Sequence, residues 1–468
     1  MKQGTRVRKR PMLAVLLAAT ALISPQAASA QTARETELEA RLNRLESEMA
    51  ALRADLAATR DQQARTSALA DAAAAKSDAT ATKVAAIESK PQPEGMRSGA
   101  TTIKIGGYIK LLAANSTFSE GEVATNSLGR DFYLPQAIPV GTGPSSTVQD
   151  FTAKQSRFWL NLSTDLGKHK LKGYVEVDFQ TSPGTQGSQR TTNGYNLALR
   201  RAYMQLDRWT FGQDWTTFQY TGALPESTDY VGGSEGTVFV RQPLIRYSAP
   251  LSKQLTLNLA IENPEGASAN AGSPTLIENG DDRVPDFAAR LAYTGKRTEL
   301  SLGGLLRKVR VANGGVAADT TGYGASAAGK LFLNGAKTSD VRFMVTYGRN
   351  ISRYVGLNFA PDAVYVAATN RLEDVDVFAA IGAVRFALTP QLRLNVMGSY
   401  QSVDYSSNLA AASIASFNQR AWSGAVNLFY SPAKNVDLGI EYRHGERRLV
   451  NGLDGSINRI EFAAKYGF

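Results

Sequence analysis

From Ile103 to the carboxyl end, apolar and polar residues alternate with a period of two, one segment after another. In 103–113, Ile103, Ile105, Ile109 and Leu111 share a face, with Lys104, Tyr108 and Lys110 opposite. In 170–179, Leu171, Val175, Val177 and Phe179 alternate with Lys170, Lys172, Glu176 and Asp178. Two residues is the repeat of a β-strand, whose successive side chains point to opposite faces, so each segment offers one greasy and one wettable face. Strands are expected near 103–113, 155–165, 168–179, 197–206, 209–214, 238–248, 254–262, 285–294, 297–307, 321–333, 340–350, 375–388, 391–403, 418–430, 435–446 and 457–467, sixteen in all.

The connections sort by length. After the even-numbered strands they are short and carry turn residues, as in Leu166-Gly167-Lys168, Leu206-Asp207-Arg208 and Thr389-Pro390. After the odd-numbered strands they are mostly long: 114–154, 180–196, 215–237, 263–284, 308–320, 351–374, 404–417 and 447–456. A membrane barrel needs this division, with tight turns on the periplasmic side and long loops outside. Tyr247, Tyr293, Phe332, Phe386, Tyr430 and Tyr466 fall near the turn ends of even strands, where an aromatic girdle belongs. Phe468 continues the outward face of Ile460, Phe462, Ala464 and Tyr466, and a last strand that pairs with the first leaves no edge. The expected fold class is an all-β transmembrane barrel of about sixteen antiparallel strands over 102–468, preceded by an N-terminal α-helical coiled-coil segment. The mean hydropathy of −0.23 is compatible with this, because alternation leaves no long apolar run.

The N-terminal quarter follows other rules. Residues 1–10 are basic, Met12 to Ile23 are apolar, and Ala28-Ser29-Ala30 is a small-residue cleavage site, the order of a secretory signal peptide over 1–30. Leu38, Leu42, Leu45, Met49, Leu52 and Leu56 then step 4, 3, 4, 3, 4, the a/d pattern of a heptad, and the register survives an Ala-rich middle to reach Val84 and Ile87. A periplasmic coiled coil over 31–89 is expected. Pro91 and Pro93 stop it and begin a linker over 90–101.

The formal charge of +10 falls to +5 without Lys2, Arg6, Arg8, Lys9 and Arg10; residues 31–100 carry −1, leaving +6 on the barrel. That excess suits small anions. It is too dispersed for nucleic acid. Sixteen strands enclose water, and selectivity then rests on the charges lining the narrowest section. Alternation points Lys110, Arg157, Lys172, Arg201, Arg246, Arg342, Arg393, Arg443 and Arg459 inward as a basic lining for carboxylate passage. The third long loop, with Gly232-Gly233, is the expected constriction, setting Glu226, Asp229 or Glu235 against that basic wall.

The opening strand IKIGGYIKLLA, the stretches RFWLNLSTDLG, LRRAYMQLDRWTFGQDWTTF and VRQPLIRYSAP, and the terminal KYGF together resemble the DcaP-like trimeric porins of the outer membrane. The resemblance runs over roughly 31–468 and implies a homotrimer taking up small anionic solutes, dicarboxylates among them. Partners expected with it are outer-membrane lipid and lipopolysaccharide, and peptidoglycan for the stalk.

Two other readings compete. A structural tether would use the stalk as its functional part. A barrel hydrolase would need His169 or His444 as base, yet neither sits in a clear Ser-and-acid arrangement. No Cys occurs and no His/Cys/Asp cluster has ligand spacing, so neither metal nor cofactor is expected. The export reading predicts that Edman sequencing of the mature protein begins at Gln31; a start at Met1 would refute it.

Overall fold

A computed structural model of the chain describes residues 28–88, 95–125, 127–180, 193–278, 281–313 and 316–468. The expected export signal, except residues 28–30, and positions 90–94 of the expected linker lie outside the described residues. Residues up to Gln92 and from Pro93 onward form two units.

The described residues of the first unit form one helix, α1 (Ala28–Glu88), of 61 residues, roughly 90 Å at 1.5 Å per residue. Ala, Leu, Arg and Glu, all strong helix formers, dominate it. Leu42, Met49, Leu52 and Leu56 are 53–69 % exposed, so on a single chain the seam is uncovered. The side chains of Leu38 and Leu45 lie outside the described residues.

The second unit is a closed antiparallel barrel of sixteen strands: β1 (Thr101–Phe118), β2 (Arg157–Leu166), β3 (His169–Asp178), β4 (Ala198–Leu206), β5 (Trp209–Trp215), β6 (Arg241–Pro250), β7 (Leu255–Glu262), β8 (Asp286–Thr294), β9 (Thr298–Asn313), β10 (Val316–Phe332), β11 (Asp340–Arg349), β12 (Arg371–Ala387), β13 (Leu392–Tyr405), β14 (Asn418–Ala433), β15 (Val436–Leu449) and β16 (Asp454–Gly467). Each pairs with its neighbour in sequence, and β16 returns to β1 from Tyr108↔Gly467 to Phe118↔Ile457. Positive φ at Gly167 and Asp207 tightens the first two short turns to two residues.

Short strands decorate this frame. Met96–Ser98 folds back on Thr101–Ile103, so the end of the expected linker is a hairpin. Ser146–Thr152 runs beside Leu112–Phe118, extending the β2 side of the wall along the upper half of β1. Residues 308–313 and 316–320, expected as part of a loop, are instead strand: β9 and β10 remain in register to Asn313↔Val316. Val309 and Val311 carry the alternation onward beyond the expected strand end at 307.

The outer surface is apolar. Ile105, Leu160, Leu302, Val345, Val396, Leu428 and Ile440 are 37–60 % exposed, as a lipid-facing band requires. Tyr293, Phe386, Tyr430 and Tyr466 face outward near the short turns, whereas Phe332 does not. The outward residues of β10 are odd-numbered, with Leu331 and Leu333 exposed, so Phe332 turns to the lumen under the ammonium of Lys330, 4.8 Å away. A second aromatic set, Tyr323, Tyr347, Phe378, Tyr400, Trp422 and Tyr442, is exposed toward the long-loop ends.

The seam between first and last strands depends on Gly107, which exchanges backbone bonds with Phe468 at 3.0 and 3.2 Å. A Cβ there would come within 2.6 Å of the Arg157 carbonyl and 2.7 Å of the Phe468 ring. Gly107→Val is therefore expected to destabilise the barrel by about 1–3 kcal/mol, as overpacking does. Urea unfolding in detergent, followed by heat-modifiable gel mobility, measures it; an unshifted midpoint would show that the seam yields without cost.

Candidate functional site

Between β5 and β6, residues 216–240 turn into the barrel. Arg342 on β11 donates to the Leu224 carbonyl at 2.6 Å. Arg393 on β13 grips the Glu226 carboxylate through two nitrogens at 2.7–2.9 Å, and Asn427 on β14 donates to the Glu226 carbonyl at 2.9 Å. Ser227 donates to Glu441 on β15 at 2.7 Å and Thr228 to Glu461 on β16 at 3.0 Å. Lys110 on β1 donates to the Thr228 carbonyl at 2.6 Å. One five-residue stretch is thus tied to lumen-facing side chains of six strands. Glycine permits the approach: a Cβ on Gly233 would strike the Ser399 hydroxyl, and one on Gly236 the Ala380 carbonyl.

Two other loops join it. Tyr133, in the loop after β1, is fully buried; its N–H donates to Asp229 at 3.2 Å and its hydroxyl to Glu235 at 3.4 Å. From the loop after β11, the Tyr354 carbonyl accepts from Phe239 N–H at 3.0 Å, and Gly356 N–H donates to Thr237 at 3.1 Å. Phe218, Val238, Ile351, Val355 and Phe359 pack between loops and wall as an internal apolar core. Burial in this clasp pushes the Asp229 carboxyl above the usual aspartate range.

The nine expected basic residues divide into three groups. Lys110, Arg443 and Arg459 lie beneath the loops, 8, 2 and 1 % exposed. Arg443 is paired with Glu441 at 2.8 Å, and Arg459 donates to Ser116 at 2.7 Å. Arg342 and Arg393 are tethers, as above. Arg157, Lys172, Arg201 and Arg246 stand on the opposite wall, β2–β6. There Arg157 pairs with Asp178 at 3.3 Å, while Arg201 and Arg246 share Asp214 at 2.6 and 3.0 Å. The Arg201 guanidinium also lies over the stacked rings of Tyr174 and Tyr203, at 4.7 and 5.3 Å. Lys172 is exposed on the same face of β3 as Glu176. Among the three acids, Glu226 meets the wall, whereas Asp229 and Glu235 are 5 and 0 % exposed within the clasp.

Strict alternation missed Arg200. A bulge shifts the register between Glu176↔Arg201 and Val177↔Leu199, so Arg200 and Arg201 both reach the lumen face. Arg200 donates to Glu176 at 2.9 Å and Asp178 at 2.7 Å. The signal was present: Leu197 and Leu199 are outward and odd, Met204 and Leu206 outward and even. Between this wall and the loop lies a polar cavity of about 190 Å³, lined by Tyr108, Arg157, Glu226, Tyr230, Asp437 and Lys465 among others. His169 and His444 bond instead to Asp207 at 2.7 Å and Asn458 at 2.9 Å, and among the described residues neither bonds to a serine.

A family model described as DcaP outer membrane protein matches residues 78–468. No curated protein matches the chain. Among solved structures, the outer membrane channel DcaP of Acinetobacter baumannii superposes with a TM-score of 0.66 at 23 % identity, covering 80 % of this chain and 100 % of that one. The outer-membrane expressed OmpT of Vibrio cholerae gives a TM-score of 0.50 at 12 % identity, covering 80 % and 100 %. At these identities the likeness to both is one of fold.

The Arg393–Glu226 fork is the strongest link between loop and wall. Arg393→Ala is expected to cost about 1.5–3 kcal/mol, the worth of charge-assisted hydrogen bonds, and to let the loop fluctuate. Single-channel recordings should show added open-state noise; a trace as quiet as the parent would mean the remaining ties suffice.

Proposed function

Because the chain belongs to the DcaP outer membrane protein family, and its barrel is that of an outer-membrane porin, we propose that it passes small anionic, carboxylate-bearing solutes by diffusion. The observation that carries this reading is the charge of the wall opposite the tethered loop. Over β2–β6, Arg157, Lys172, Arg200, Arg201 and Arg246 stand against Glu176, Asp178 and Asp214. Arg241 on β6 lies close to Asp178, Arg157 and Glu176 as well, so the cations outnumber the three carboxylates and leave a net positive surface. Arg157 and Arg201 keep 19 and 22 % of their side chains exposed, enough to meet a passing solute while their carboxylates hold the guanidinium planes fixed. A pre-oriented guanidinium offers two parallel donors to a carboxylate at little further ordering cost. Glu226 across the gap would set a transverse field with this wall.

Selectivity in such a site is a balance of entry and exit. Wall acids keep each arginine partly neutralised, so a carboxylate exchanges partners rather than falling into a deep trap. That arrangement serves conduction better than tight binding would. The ion pairs lining the path therefore support a channel more than a receptor.

The N-terminal helix is assigned by the same proposal to the periplasm. Its exposed Leu42, Met49, Leu52 and Leu56 would be buried against two further copies, giving a homotrimer whose stalk reaches toward peptidoglycan after removal of residues 1–30. Selectivity tests the main proposal. Replacing Arg157 and Arg201 together by Ala should move the reversal potential in a salt gradient clearly toward cation preference, because the wall would lose most of its positive excess. An unchanged reversal potential would remove this wall from the pathway.

A further inference from the structure

We propose that the outer face of β8–β10 is a binding site for a phosphorylated, acylated glycolipid of the outer leaflet, the lipid A part of lipopolysaccharide. The site has an apolar lower half and a basic upper half on the same strands. The lower half is an open groove of about 720 Å³ in the lipid-facing wall, lined by Ile245, Ile261, Phe287, Ala289, Gly304 and Leu306 among others. Ala289 and Gly304 face each other across β8 and β9 and form its floor, while Phe287 and Leu306 form the next row toward the long-loop end.

Directly above, toward that same end, the wall carries a second cavity of about 210 Å³ lined by Arg283, Val284, Lys308, Arg310 and Asp319. Lys308 and Arg310 are the next two outward positions of β9 after Leu306, the first of them about 7 Å further along the strand. Three cations and one carboxylate line this cavity, while the neighbouring Asp281 and Asp282 accept from the backbone N–H groups of Ala312 and Arg310 at 2.7 and 2.8 Å. Lys308 takes that carboxylate, Asp319, at 2.8 Å. Among the described residues neither Arg283 nor Arg310 forms an ion pair, and the buried Nε of Arg310 has no acceptor. Arg349, on the same rim, differs, being held by Asp376 at 2.7 Å and Asp374 at 3.4 Å.

Position decides what fills these cavities. β9 enters from the short turn at 295–297 and leaves toward the long-loop side, so the cations stand at the outer interface and the groove below stands in the hydrocarbon. A ligand must therefore present acyl chains to the groove and an anion to the arginines at one height. A phosphorylated sugar lipid does both, and phosphate matches the guanidinium fork. A zwitterionic phospholipid would bring an ammonium beside Arg283 and Arg310, which disfavours it.

The test uses the full chain in detergent and native mass spectrometry with hexa-acyl lipid A, its dephosphorylated form and inorganic phosphate as separate probes. Lys308→Ala with Arg310→Ala should weaken lipid A binding on the order of tenfold or more, the loss of a charge-assisted contact. Gly304→Leu should weaken it with the basic cavity intact, since a Cβ at Gly304 meets nothing within 4 Å and the fold tolerates it. Heat-modifiable mobility and conductance should stay as in the parent for both variants. Equal lipid A binding by parent and variants overturns the proposal, as does equal binding of the dephosphorylated form. Competition by millimolar inorganic phosphate alone would mark a free-anion site and overturn it too. The chain has no cysteine, so Leu306→Cys supplies a single thiol. Disulfide-linked copies would assign this face to a second copy instead, whereas a thiol that stays free supports the lipid.

Discussion

Within hydrocarbon, no water is available to satisfy a backbone N–H or carbonyl, and each unsatisfied group costs several kcal/mol. The architecture of the barrel follows from that constraint. It forces the sheet to close on itself, so β16 must find β1 across the whole length of the barrel, from Tyr108↔Gly467 to Phe118↔Ile457. It makes Gly107 a necessity, because the terminal Phe468 completes its ladder where any side chain would collide. Once the backbone is satisfied, side chains are free to divide by face: Ile, Leu and Val toward lipid, and ionisable groups toward the interior.

The interior is governed by a second constraint, the cost of isolating charge. Arg443, Arg459, Arg307 and Lys110 are nearly free of solvent, and each meets a carboxylate or a run of oxygen acceptors. Removing one partner of such a pair leaves the other stranded, which costs far more than the pair itself contributes. These groups therefore act less as a lining for solutes than as the framework that holds three loops inside a tube. The wall of β2–β6 differs, since there carboxylate and guanidinium are paired yet still partly wetted.

Much of the barrel was legible because the period of two is a backbone property that survives any detail of packing. Sixteen strands were expected and sixteen are present, and the third loop, singled out for Gly232-Gly233, does enter the lumen. The misses have local causes. Phe332 was assigned by its distance from the turn, but the parity of β10 decides its direction. Arg200 was hidden by one extra residue, which flips the faces on either side of it. β9 and β10 run on through 308–313 and 316–320 because the pairing between them continues past the bounds expected for each strand. The entry of the first and sixth loops left no mark in local sequence: Tyr133 and Tyr354 look like any loop tyrosine until Glu235 and Phe239 arrive from another part of the chain. For the same reason, Arg443 and Arg459 could not be told from Arg157 and Arg201, since alternation fixes a face and says nothing of what covers it.

The tethered stretch from Leu224 to Thr228 is joined to residues far from it in the chain, to Lys110 before it and to Arg393, Glu441 and Glu461 after it. Its anchors thus exist together only when the first and last strands have met. A half-assembled barrel would hold this segment loose and its mouth wide, and narrowing would come as the final event of assembly. The tethered loop thereby doubles as a record of completion, since it can be fastened across the lumen only once the wall has sealed.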